Sequence, residues 1–597
     1  MARTRMPPVK WVVIGVVALR VVNCLVLGTY FDPDEHWQSA EVAHKALFGY
    51  GQLTWEWEPE VALRGFLHPA LSSLLPLWLA SLLPLPPSFS SAPLLSAAPR
   101  MAHSLVAAAV DLLCYALCRR LFPGPPSALP LLALLLSLSD WFLFYALPRP
   151  LSNTLETLFS LAALYFLPLT FKHSSSSPTS LSSSSSSSST FACFFFATVA
   201  VLIRPTAAIF WLPVAIFLLT NTCSSAPSAA IAIRLLLRLC KEAIYAAALP
   251  LLVSCLLDRW FYGQWVLVPL NFFRFNVLNG LSSFYGSHPW HWYLSNALPT
   301  VLLSFLPLPF LGIYLVVPSS ASVSASFSSS LSSVSSFTSF TASFTPPPSP
   351  PFPSSSAAAS SCSLSSLLAA FHSPSPISPP AARFLRLCVF IIGFTIAVLS
   401  LLEHKELRFL LPIVPLLLIL AALGLERLLV AAASFRRGLF RSLAIIVLAA
   451  LFVAQLPAMA YLGVFHQRGV IDVMAHIRDH PEVSSVHFLM PCHSTPFYAS
   501  VHRNLSLVAL QCRPPLPGEA HYDEADDFYS RPLSFLTQRY QDPDALPSHF
   551  VLFEPLLHEI RPFFHDWGYV IDKRFWHTAT PVDRRHGDVL LFSRESR

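Results

Sequence analysis

Charged residues are scarce in this sequence. Only 12% of its 597 residues are Asp, Glu, Lys or Arg, whereas 54% are hydrophobic and the mean hydropathy is +0.57. A soluble globular protein carries about 25% charged residues, so this composition excludes a cytosolic globular protein. Cysteine is also sparse, and 11 residues in a chain of this length exclude a disulfide scaffold. The net charge of +6 is spread along the chain without a basic stripe, so we predict no nucleic-acid partner.

The few charges are concentrated near the C-terminus. Residues 463–597 contain 17 of the 32 acidic residues and 12 of the 21 histidines, which is typical of a water-soluble domain. Residues 11–462 consist instead of apolar runs of roughly 20 residues, the length that crosses a membrane as a helix. The sequence therefore predicts an all-α polytopic membrane body, followed by a separate C-terminal domain.

About eleven apolar runs are predicted to span the membrane. Basic residues keep the N-terminal residues 1–10 in the cytosol by the positive-inside rule, and an odd number of spans then places the C-terminal domain on the far side. Arg119 and Arg120 also fall on the far side by this count, against the same rule. The predicted spans lie near 11–30, 66–85, 101–122, 128–147, 150–171, 191–219, 242–261, 297–317, 384–402, 409–430 and 441–462.

Two low-complexity segments interrupt the membrane body. Residues 172–190 are mostly serine, and residues 318–380 are rich in serine and proline. Neither segment holds enough apolar surface to fold alone, so we predict that both are flexible linkers.

Acidic residues cluster immediately after the first span. Three of them, Asp32, Asp34 and Glu35, follow the membrane edge directly. Desolvation at that edge raises the pKa of a carboxylate toward that of a useful general base, and nearby Trp rings are suited to stack on sugar faces. The alternative is a solvated loop with interfacial Trp anchors. We predict catalytic roles for the three acids and substrate binding by His36, Gln38, Trp55 and Trp57.

The triplet Asp32-Pro33-Asp34 has the spacing of a metal-binding pair for a nucleotide-sugar donor. That chemistry needs a soluble nucleotide-binding domain, and the sequence contains no visible one. We therefore predict neither a metal ion nor another cofactor.

A second group of ionisable residues lies at 403–409, between two apolar runs. Each such residue costs about 2.5–3.5 kcal/mol if it is carried to the bilayer centre, unless it is paired or used. We predict that His404, Lys405 and Arg408 hold a phosphate through charge-assisted hydrogen bonds. The alternative is an interfacial turn whose charges pair with one another.

An aromatic, weakly charged stretch at 262–296 is the third candidate region. By the span count it lies on the same side as Asp34, and we predict that it lines an acceptor groove through His288 and Trp290. An interfacial re-entrant segment is the alternative.

A lipid or solute transporter and a structural subunit of a membrane complex are alternatives from other functional classes. A transporter needs ionisable groups deep within its spans and commonly has internal repeats. Here the acids inside the apolar runs are scattered and the sequence has no visible repeat. We therefore favour an enzyme with its site at one membrane face.

Two features of the C-terminal domain depend on the side of the membrane that it faces. Asn504 begins the sequon Asn504-Leu505-Ser506, which predicts a glycan if the domain lies in the secretory lumen. Cys492 and Cys512 can form a disulfide in the same oxidising compartment.

Two strings resemble the signatures of a known enzyme family. FDPDEHWQ at 31–38 and HKELRF at 404–409 resemble those of glycosyltransferase family 22, the dolichyl-phosphate-mannose-dependent mannosyltransferases of the endoplasmic reticulum (ER). The likeness covers about 11–597, apart from the linkers. Other strings resemble the branch that adds the third mannose to the glycosylphosphatidylinositol (GPI) anchor precursor: LTWEW at 53–57, LSNTLE at 151–156, FYGSHPW at 284–290 and MPCHSTP at 490–496.

The resemblance implies a GT-C fold in the ER membrane, with a lumenal active site and a lumenal α/β domain at 463–597. The catalytic loops would be 31–65, 262–296 and 403–408. The implied reaction transfers the third mannose, in α-1,2 linkage, from dolichyl-phosphate mannose to a GPI precursor that carries two mannoses. Within the family, an N-glycan precursor mannosyltransferase and the enzyme adding the fourth GPI mannose remain alternatives.

The implied reaction inverts the sugar configuration, because the donor sugar is β-linked and the product is α-linked. One displacement then suffices, with Asp34 as the general base and Glu35 orienting it or contacting the sugar. Asp32 remains an open alternative for the base. His404, Lys405 and Arg408 would hold the lipid phosphate, whose stability as a leaving group makes a metal unnecessary.

Overall fold

A helical body and a small mixed sheet make up the chain, whose structure is a computed structural model. Most of the predicted linkers 172–190 and 318–380 lies outside the residues that it describes. The described residues are 8–84, 91–123, 128–167, 184–280, 284, 286–317, 377–434, 438–514, 522–580 and 584–595.

The membrane body is built from apolar helices, as the sequence predicts. In apolar surroundings a helix is favoured because it satisfies its backbone hydrogen bonds within one segment. The helices are α1 (Val9–Val26), α2 (Glu41–Phe48), α3 (Leu67–Pro69), α4 (Leu75–Ser81), α5 (Ala92–Leu121), α6 (Leu129–Ser139), α7 (Trp141–Ala146), α8 (Ser152–Phe166), α9 (Ser184–Ile203), α10 (Ala207–Ser225), α11 (Ala229–Tyr262), α12 (Val268–Phe273), α13 (Leu298–Leu302), α14 (Pro307–Val316), α15 (Pro379–Leu401), α16 (Val414–Ser434), α17 (Gly438–Val453) and α18 (Leu456–Ala460).

Among the described residues, seven helices are long and apolar enough to cross a membrane. An eighth candidate is a pair of segments, Tyr293–Phe305 and Pro307–Val316, which is bent by 92°. Several of the roughly eleven predicted spans therefore correspond to shorter or broken helices. Two of the predicted spans need correction.

The predicted span near 66–85 does not cross the body. It begins beside the acidic segment, where a ring nitrogen of His68 bonds to the carbonyl of Gln38 at 3.1 Å. The next helix, α5, starts at the same end of the body, because Ser96 Oγ donates to the carbonyl of Ser500 in the C-terminal domain at 3.0 Å. The run is therefore a helical segment along one face, and apolar length alone cannot distinguish such a segment from a span.

This correction moves Arg119 and Arg120 to the opposite end of the body. Helix α5 runs away from the C-terminal domain and ends just after these two residues. There the Arg120 guanidinium donates to the carbonyls of Tyr165 and Leu167, at the C-terminal end of α8, where the helix dipole favours a cation. The conflict with the positive-inside rule was therefore a result of counting 66–85 as a span.

The predicted single span at 191–219 is also wrong, because it consists of the two helices α9 and α10. Arg204 and Pro205 separate them. Proline has no backbone N–H and breaks the hydrogen-bond ladder of a helix. The break places the Arg204 side chain inside the body, where it is 7% exposed.

The predicted linker 172–190 is shorter than expected, since α9 already begins at Ser184. Ser189 Oγ donates to the carbonyl of Phe166 at 2.6 Å, at the end of α8. The C-terminal end of α8 therefore accepts the hydroxyl of a serine near the start of α9.

A buried ion pair joins α1 to α5 inside the body. Arg20 Nε donates to Asp111 Oδ2 at 2.7 Å, and the two side chains are 2% and 0% exposed. Ser137 of α6 donates to Asp111 Oδ1 at 2.5 Å. Because a charge within a span is costly unless it is paired, this network fixes three helices and gives Asp111 a structural role.

The C-terminal domain contains a five-stranded mixed sheet, which confirms its predicted α/β character. The strand order is β2-β1-β3-β5-β4, with β1 parallel to β2 and β3, and β5 antiparallel to β3 and β4. The central strand β3 is buried along its whole length, as expected where both faces are covered. The strands are β1 (Ser485–Leu489), β2 (Ser506–Ala509), β3 (His549–Phe553), β4 (Tyr569–Thr578) and β5 (Gly587–Arg594), and the helices are α19 (Gly469–Asp479), α20 (Tyr498–Val501), α21 (Glu524–Ser530), α22 (Pro532–Arg539) and α23 (Leu557–Asp566).

Two sequence features of this domain lie near β2. Cys492 and Cys512 form a disulfide, which confirms the predicted pairing. Asn504 is exposed in the loop before β2, so a glycan can reach it. Its glycosylation stays a prediction.

The C-terminal domain packs directly on the segment that carries the acidic residues. Trp37 Nε1 donates to the carbonyl of Thr495 at 3.1 Å. Oε1 of the fully buried Glu41 accepts the N–H groups of Phe497 at 2.7 Å and Ala499 at 3.1 Å. The C-terminal domain therefore holds the acidic segment in place through these hydrogen bonds.

Burial raises the pKa of Glu41 from 4.5 to about 7, although the N–H groups of Phe497 and Ala499 oppose the shift. A carboxyl group with a higher pKa in the folded state binds its proton more tightly there. Its contribution to stability therefore falls as the pH rises from about 4.5 to about 7, and it stays constant above that range.

We expect Glu41→Gln to be more stable than the wild type at pH 8, by at most about 3 kcal/mol, because the amide keeps an acceptor oxygen and removes the buried charge. The difference should nearly vanish at pH 5. Thermal unfolding of the two purified proteins between pH 5 and 8 measures it. Parallel pH profiles would contradict the titration of Glu41.

Candidate active site

Four connections meet at the end of the body nearest the C-terminal domain. They are the acidic segment after α1, the connection between α7 and α8, the break between α9 and α10, and the connection between α15 and α16. Arg408 in the last of these donates to Asp34 in the first, 374 residues away. The predicted meeting of the acidic segment with the loop 403–408 is therefore confirmed.

Three carboxylates surround the Arg408 side chain, which is 8% exposed. Its Nη1 contacts Asp34 and lies 3.0 Å from Asp32 Oδ1, while its Nη2 donates to Glu406 at 2.9 Å. A guanidinium presents five donors in a fixed fork, so one cation can hold three acids that would otherwise repel one another. The cluster has an excess of negative charge. Nowhere in the described ranges do three or more His, Cys, Asp or Glu side chains form a group that could hold a metal ion.

The carboxylates around Arg408 differ in their affinity for a proton. Burial raises the pKa of Asp32 well above its ordinary value, and the charges of Glu406 and Asp34 add to this effect while Arg408 opposes it. Burial also raises the pKa of Glu406, but Arg408 and the hydrogen bond from His404 outweigh it, so this pKa lies below its usual range. Glu406 is thus the permanent counter-ion of Arg408, and Asp32 takes up a proton more readily than Glu406.

Glu35 belongs to a separate buried ion pair. Arg149 Nη1 donates to both carboxylate oxygens of Glu35 at 3.0 Å, and Arg100 Nη2 lies 3.5 Å from Oε1. Burial raises the pKa of Glu35, but the two guanidinium groups outweigh it and hold the pKa well below its usual range. Glu35 and Arg149 are both fully buried. These contacts give Glu35 a structural role instead of the predicted roles at Asp34 or the sugar.

Two of the predicted substrate-binding residues are packing residues. The His36 ring stacks on Tyr30 with 5.5 Å between centroids, and its Nε2 lies 3.2 Å from Glu35 Oε1. Trp55 is buried against Phe275, with 5.3 Å between centroids. Both rings pack against protein neighbours, which spacing in the sequence cannot reveal.

The predicted phosphate cradle has other partners in the structure. Lys405 Nζ donates to two backbone carbonyls, one of them that of His288 at 3.0 Å. His404 Nε2 lies 2.7 Å from Glu406 Oε1, and Arg408 is neutralised by carboxylates. The loop matches the alternative of an internally paired turn only in part: His404 and Arg408 pair with Glu406 inside it, whereas Arg408 also contacts Asp32 and Asp34 of the acidic segment.

The aromatic stretch borders this loop. The backbone N–H of His288 donates to the carbonyl of Glu403 at 3.0 Å. The His288 ring stacks on Trp292 at 4.7 Å, and Trp290 is 68% exposed. Both predicted acceptor-binding residues, His288 and Trp290, are exposed at the edge of the site.

A cavity, here called the polar cavity, is lined by Gln38, four residues after Asp34 in the same helical segment. Its lining also contains two arginines, Arg64 and Arg204, and His68. Within the part of the chain that the structure describes, the buried Trp57 Nε1 and His68 Nε2 have no hydrogen-bond partner. Buried polar groups rarely stay unpaired, so water or a polar ligand is expected to bind them. The lining includes Gln38, Trp57, Arg64, His68, Ser152 and Arg204, of which Gln38 and Trp57 were predicted.

Three arginines of this region, Arg100, Arg149 and Arg204, were not predicted from the sequence. Their sequence signal is an isolated cation within or beside an apolar run, which is costly unless it is used or paired. Arg149 and Arg204 are also each followed by proline. Both lie at helix connections that face the site.

Known proteins resemble this chain along most of its length. Residues 11–502 match the sequence profile of the Alg9-like mannosyltransferase family. A Mus musculus protein named GPI alpha-1,2-mannosyltransferase 3 is 32% identical over 591 residues, which cover 98% of this chain and 89% of the relative. The Homo sapiens protein of the same name is 31% identical over 586 residues, which cover 97% of this chain and 86% of the relative.

A solved structure shares the fold. The crystal structure of ArnT from Cupriavidus metallidurans bound to undecaprenyl phosphate superposes with a TM-score of 0.53 and 13% identity, and covers 98% of both chains. At this identity the likeness concerns the fold alone, and it confirms the predicted GT-C fold. On the profile match and the near full-length relatives above 30% identity, the chain belongs to the Alg9-like mannosyltransferase family.

Proposed function

We propose that this chain transfers the third mannose, in α-1,2 linkage, from dolichyl-phosphate mannose to the GPI anchor precursor. Its near full-length likeness to relatives named GPI alpha-1,2-mannosyltransferase 3 supports this substrate pair. Membership of an enzyme family leaves the transporter and structural-subunit alternatives without support. The observation that carries the proposal is the contact of Arg408 with Asp34 and Asp32 beside the polar cavity.

The proposed reaction is a single inverting displacement. The acceptor hydroxyl oxygen forms a bond to C1 of mannose while the bond from C1 to the donor phosphate oxygen breaks. Asp34 takes the hydroxyl proton, and dolichyl phosphate leaves with the electron pair. Asp34 is favoured as the base over Asp32 because it lies one helical turn before Gln38, which lines the polar cavity.

The negative charge around Arg408 suits this chemistry. Positive charge develops on the sugar ring in the transition state, and fixed groups of opposite charge stabilise it most when water is excluded. Arg408 also keeps Asp34 in place through their direct contact. No step in this scheme needs a metal ion.

Defined acceptors test the substrate assignment. Microsomes from cells that lack the endogenous third-mannose enzyme, expressing this chain, receive labelled dolichyl-phosphate mannose and GPI precursors carrying one, two or three mannoses. We expect transfer to the two-mannose precursor alone, with a product that an α-1,2-mannosidase digests. Transfer to the three-mannose precursor or to an N-glycan precursor would instead assign the chain to one of the other branches.

The proposed topology places the active site and the C-terminal domain in the ER lumen. We expect the expressed protein to lose one glycan on endoglycosidase H treatment, and Asn504→Gln to migrate like the treated wild type, because Asn504 is exposed in the only sequon. Ser506→Ala, which destroys the same sequon, is the matched control. A wild-type band that endoglycosidase H leaves unshifted would count against the lumenal placement.

A further inference from the structure

A second cavity adjoins the polar one inside the membrane body. It is lined mainly by apolar side chains, among them Leu399, Leu402 and Phe409, and we call it the apolar cavity. Arg204 lines both cavities. A polar space and an apolar space thus meet at one cation.

Arg204 has donors left for a ligand, unlike Arg408. Its Nη1 donates to Ser152 Oγ at 3.1 Å, and its Nε lies 3.6 Å from Glu156 Oε2, which is beyond hydrogen-bond length. The guanidinium stacks on the Phe409 ring at 4.9 Å and is held in place by it. An anion between the cavities would reach the guanidinium donors that neither Ser152 nor Glu156 accepts.

Unpaired polar groups in the apolar cavity also indicate a ligand. Both amide atoms of Asn153, which is 1% exposed, have no hydrogen-bond partner among the described residues. The same holds, within the described ranges, for the hydroxyl of Thr395, which is 6% exposed. A buried polar group costs free energy unless it finds a partner, and a ligand entering the cavity would supply one.

The helix geometry favours an anion at this point. Two helix N-termini lie beside Arg204. Helix α10 begins at Ala207, three residues later in the chain, and helix α8 begins at Ser152, whose Oγ accepts a hydrogen bond from Arg204. The N-terminus of a helix carries partial positive charge and attracts phosphate groups.

We propose that Arg204, Ser152 and Asn153 bind the phosphate of the lipid-linked donor, with mannose in the polar cavity and the first isoprenyl units in the apolar cavity. This inference rests on the proposed function and names the donor subsite of the same active site. It moves the phosphate away from His404, Lys405 and Arg408. It also gives a role to the string LSNTLE at 151–156.

Binding of dolichyl phosphate to the purified full-length chain tests the proposal without an acceptor. We expect Arg204→Gln to raise the dissociation constant about 10- to 100-fold, the range for losing a charge-assisted hydrogen bond. The dissociation constant of Arg204→Lys should lie between those of the wild type and Arg204→Gln, since lysine keeps the charge but lacks the planar, forked set of donors of a guanidinium. Dolichol, which has no phosphate, should bind equally to the wild type and both variants. An unchanged dissociation constant for dolichyl phosphate in Arg204→Gln would overturn the assignment.

Two further variants separate phosphate binding from a structural role. Glu156→Gln removes the competing carboxylate, and we expect dolichyl phosphate to bind as tightly as in the wild type or severalfold more tightly. If the Arg204 contact with Glu156 were only structural, Glu156→Gln would weaken binding as Arg204→Gln does, and that result would reject the site. Arg441→Gln, at an exposed arginine of α17, is the matched control and should bind as the wild type does.

Asn153→Leu carries the test if Arg204→Gln does not fold. It keeps the size of the side chain and removes the unpaired amide, so we expect severalfold weaker binding of dolichyl phosphate and an equally increased KM for the donor at unchanged KM for the acceptor. Full wild-type affinity in this variant would contradict the site. A wild type that binds dolichyl phosphate yet transfers no mannose to any GPI precursor would instead overturn the proposed function alone.

Discussion

Asp34→Asn is expected to lower the turnover of mannose transfer by about 10²–10⁴-fold, the usual effect of losing a general base. The amide cannot accept the proton of the acceptor hydroxyl, but it keeps the shape of the side chain. Arg408 retains Asp32 and Glu406 as partners, so the variant should fold and be expressed as the wild type is. Initial rates with purified protein, labelled donor and the two-mannose precursor measure the effect, together with rescue of GPI-anchored proteins in deficient cells.

Asp32→Asn is the matched control for this prediction. It removes the same charge from the same arginine, two residues earlier in the chain. We expect a smaller loss of turnover, because Asp34 remains to accept the proton. Full activity of Asp34→Asn combined with inactive Asp32→Asn would transfer the role of base to Asp32, and full activity of both would reject the acidic segment as the source of the base.

Arg149→Met is expected to cost about 3–5 kcal/mol of stability, the usual effect of removing one partner from a buried ion pair. Methionine fills much of the space, but the Glu35 carboxylate would stay buried without the two 3.0 Å hydrogen bonds that it now accepts, with Arg100 at 3.5 Å as its remaining cation. The expected results are poor expression and a strongly lowered Tm in detergent. Arg478→Met is the control, because Arg478 pairs with a mostly exposed partner, Asp479, in the C-terminal domain, and such pairs contribute about 0–1 kcal/mol.

A double variant isolates the cause of that loss. Glu35→Gln combined with Arg149→Met removes both charges, so we expect the double variant to be more stable than Arg149→Met alone. If the double variant and Arg149→Met melted at the same temperature, the loss would come from packing and not from an uncompensated charge. Mannose transfer at permissive temperature should remain measurable in the double variant, since neither residue takes part in the proposed chemistry.

The sequence predicted those residues of the site that lie where charged residues are concentrated. Asp32 and Asp34 stand out because acids are rare in the body and these follow a span directly. Arg408 stands out for the same reason between two apolar runs. Their predicted proximity is confirmed, since helices that end at one face bring their connections together.

The sequence did not predict which groups each charged side chain contacts. Glu35 looks equivalent to Asp34 in the sequence, yet it pairs with Arg149, 114 residues away, inside the protein. Lys405 and Arg408 look like free cations, yet backbone carbonyls and carboxylates already occupy them. In the sequence, Arg204 is distinguished only as a single cation beside a proline.

By itself, the sequence determined the membrane body, the soluble C-terminal domain, the acidic and basic loops and the family, because composition, apolar length and local strings are properties of contiguous residues. Only the tertiary structure decided that 66–85 stays on one face, that Glu35 is structural, and that Arg204 joins two cavities. Those facts depend on which groups meet across the fold and how far each is removed from water. Whether a buried charge is neutralised or left available for a ligand is set by such contacts and not by its neighbours in the chain.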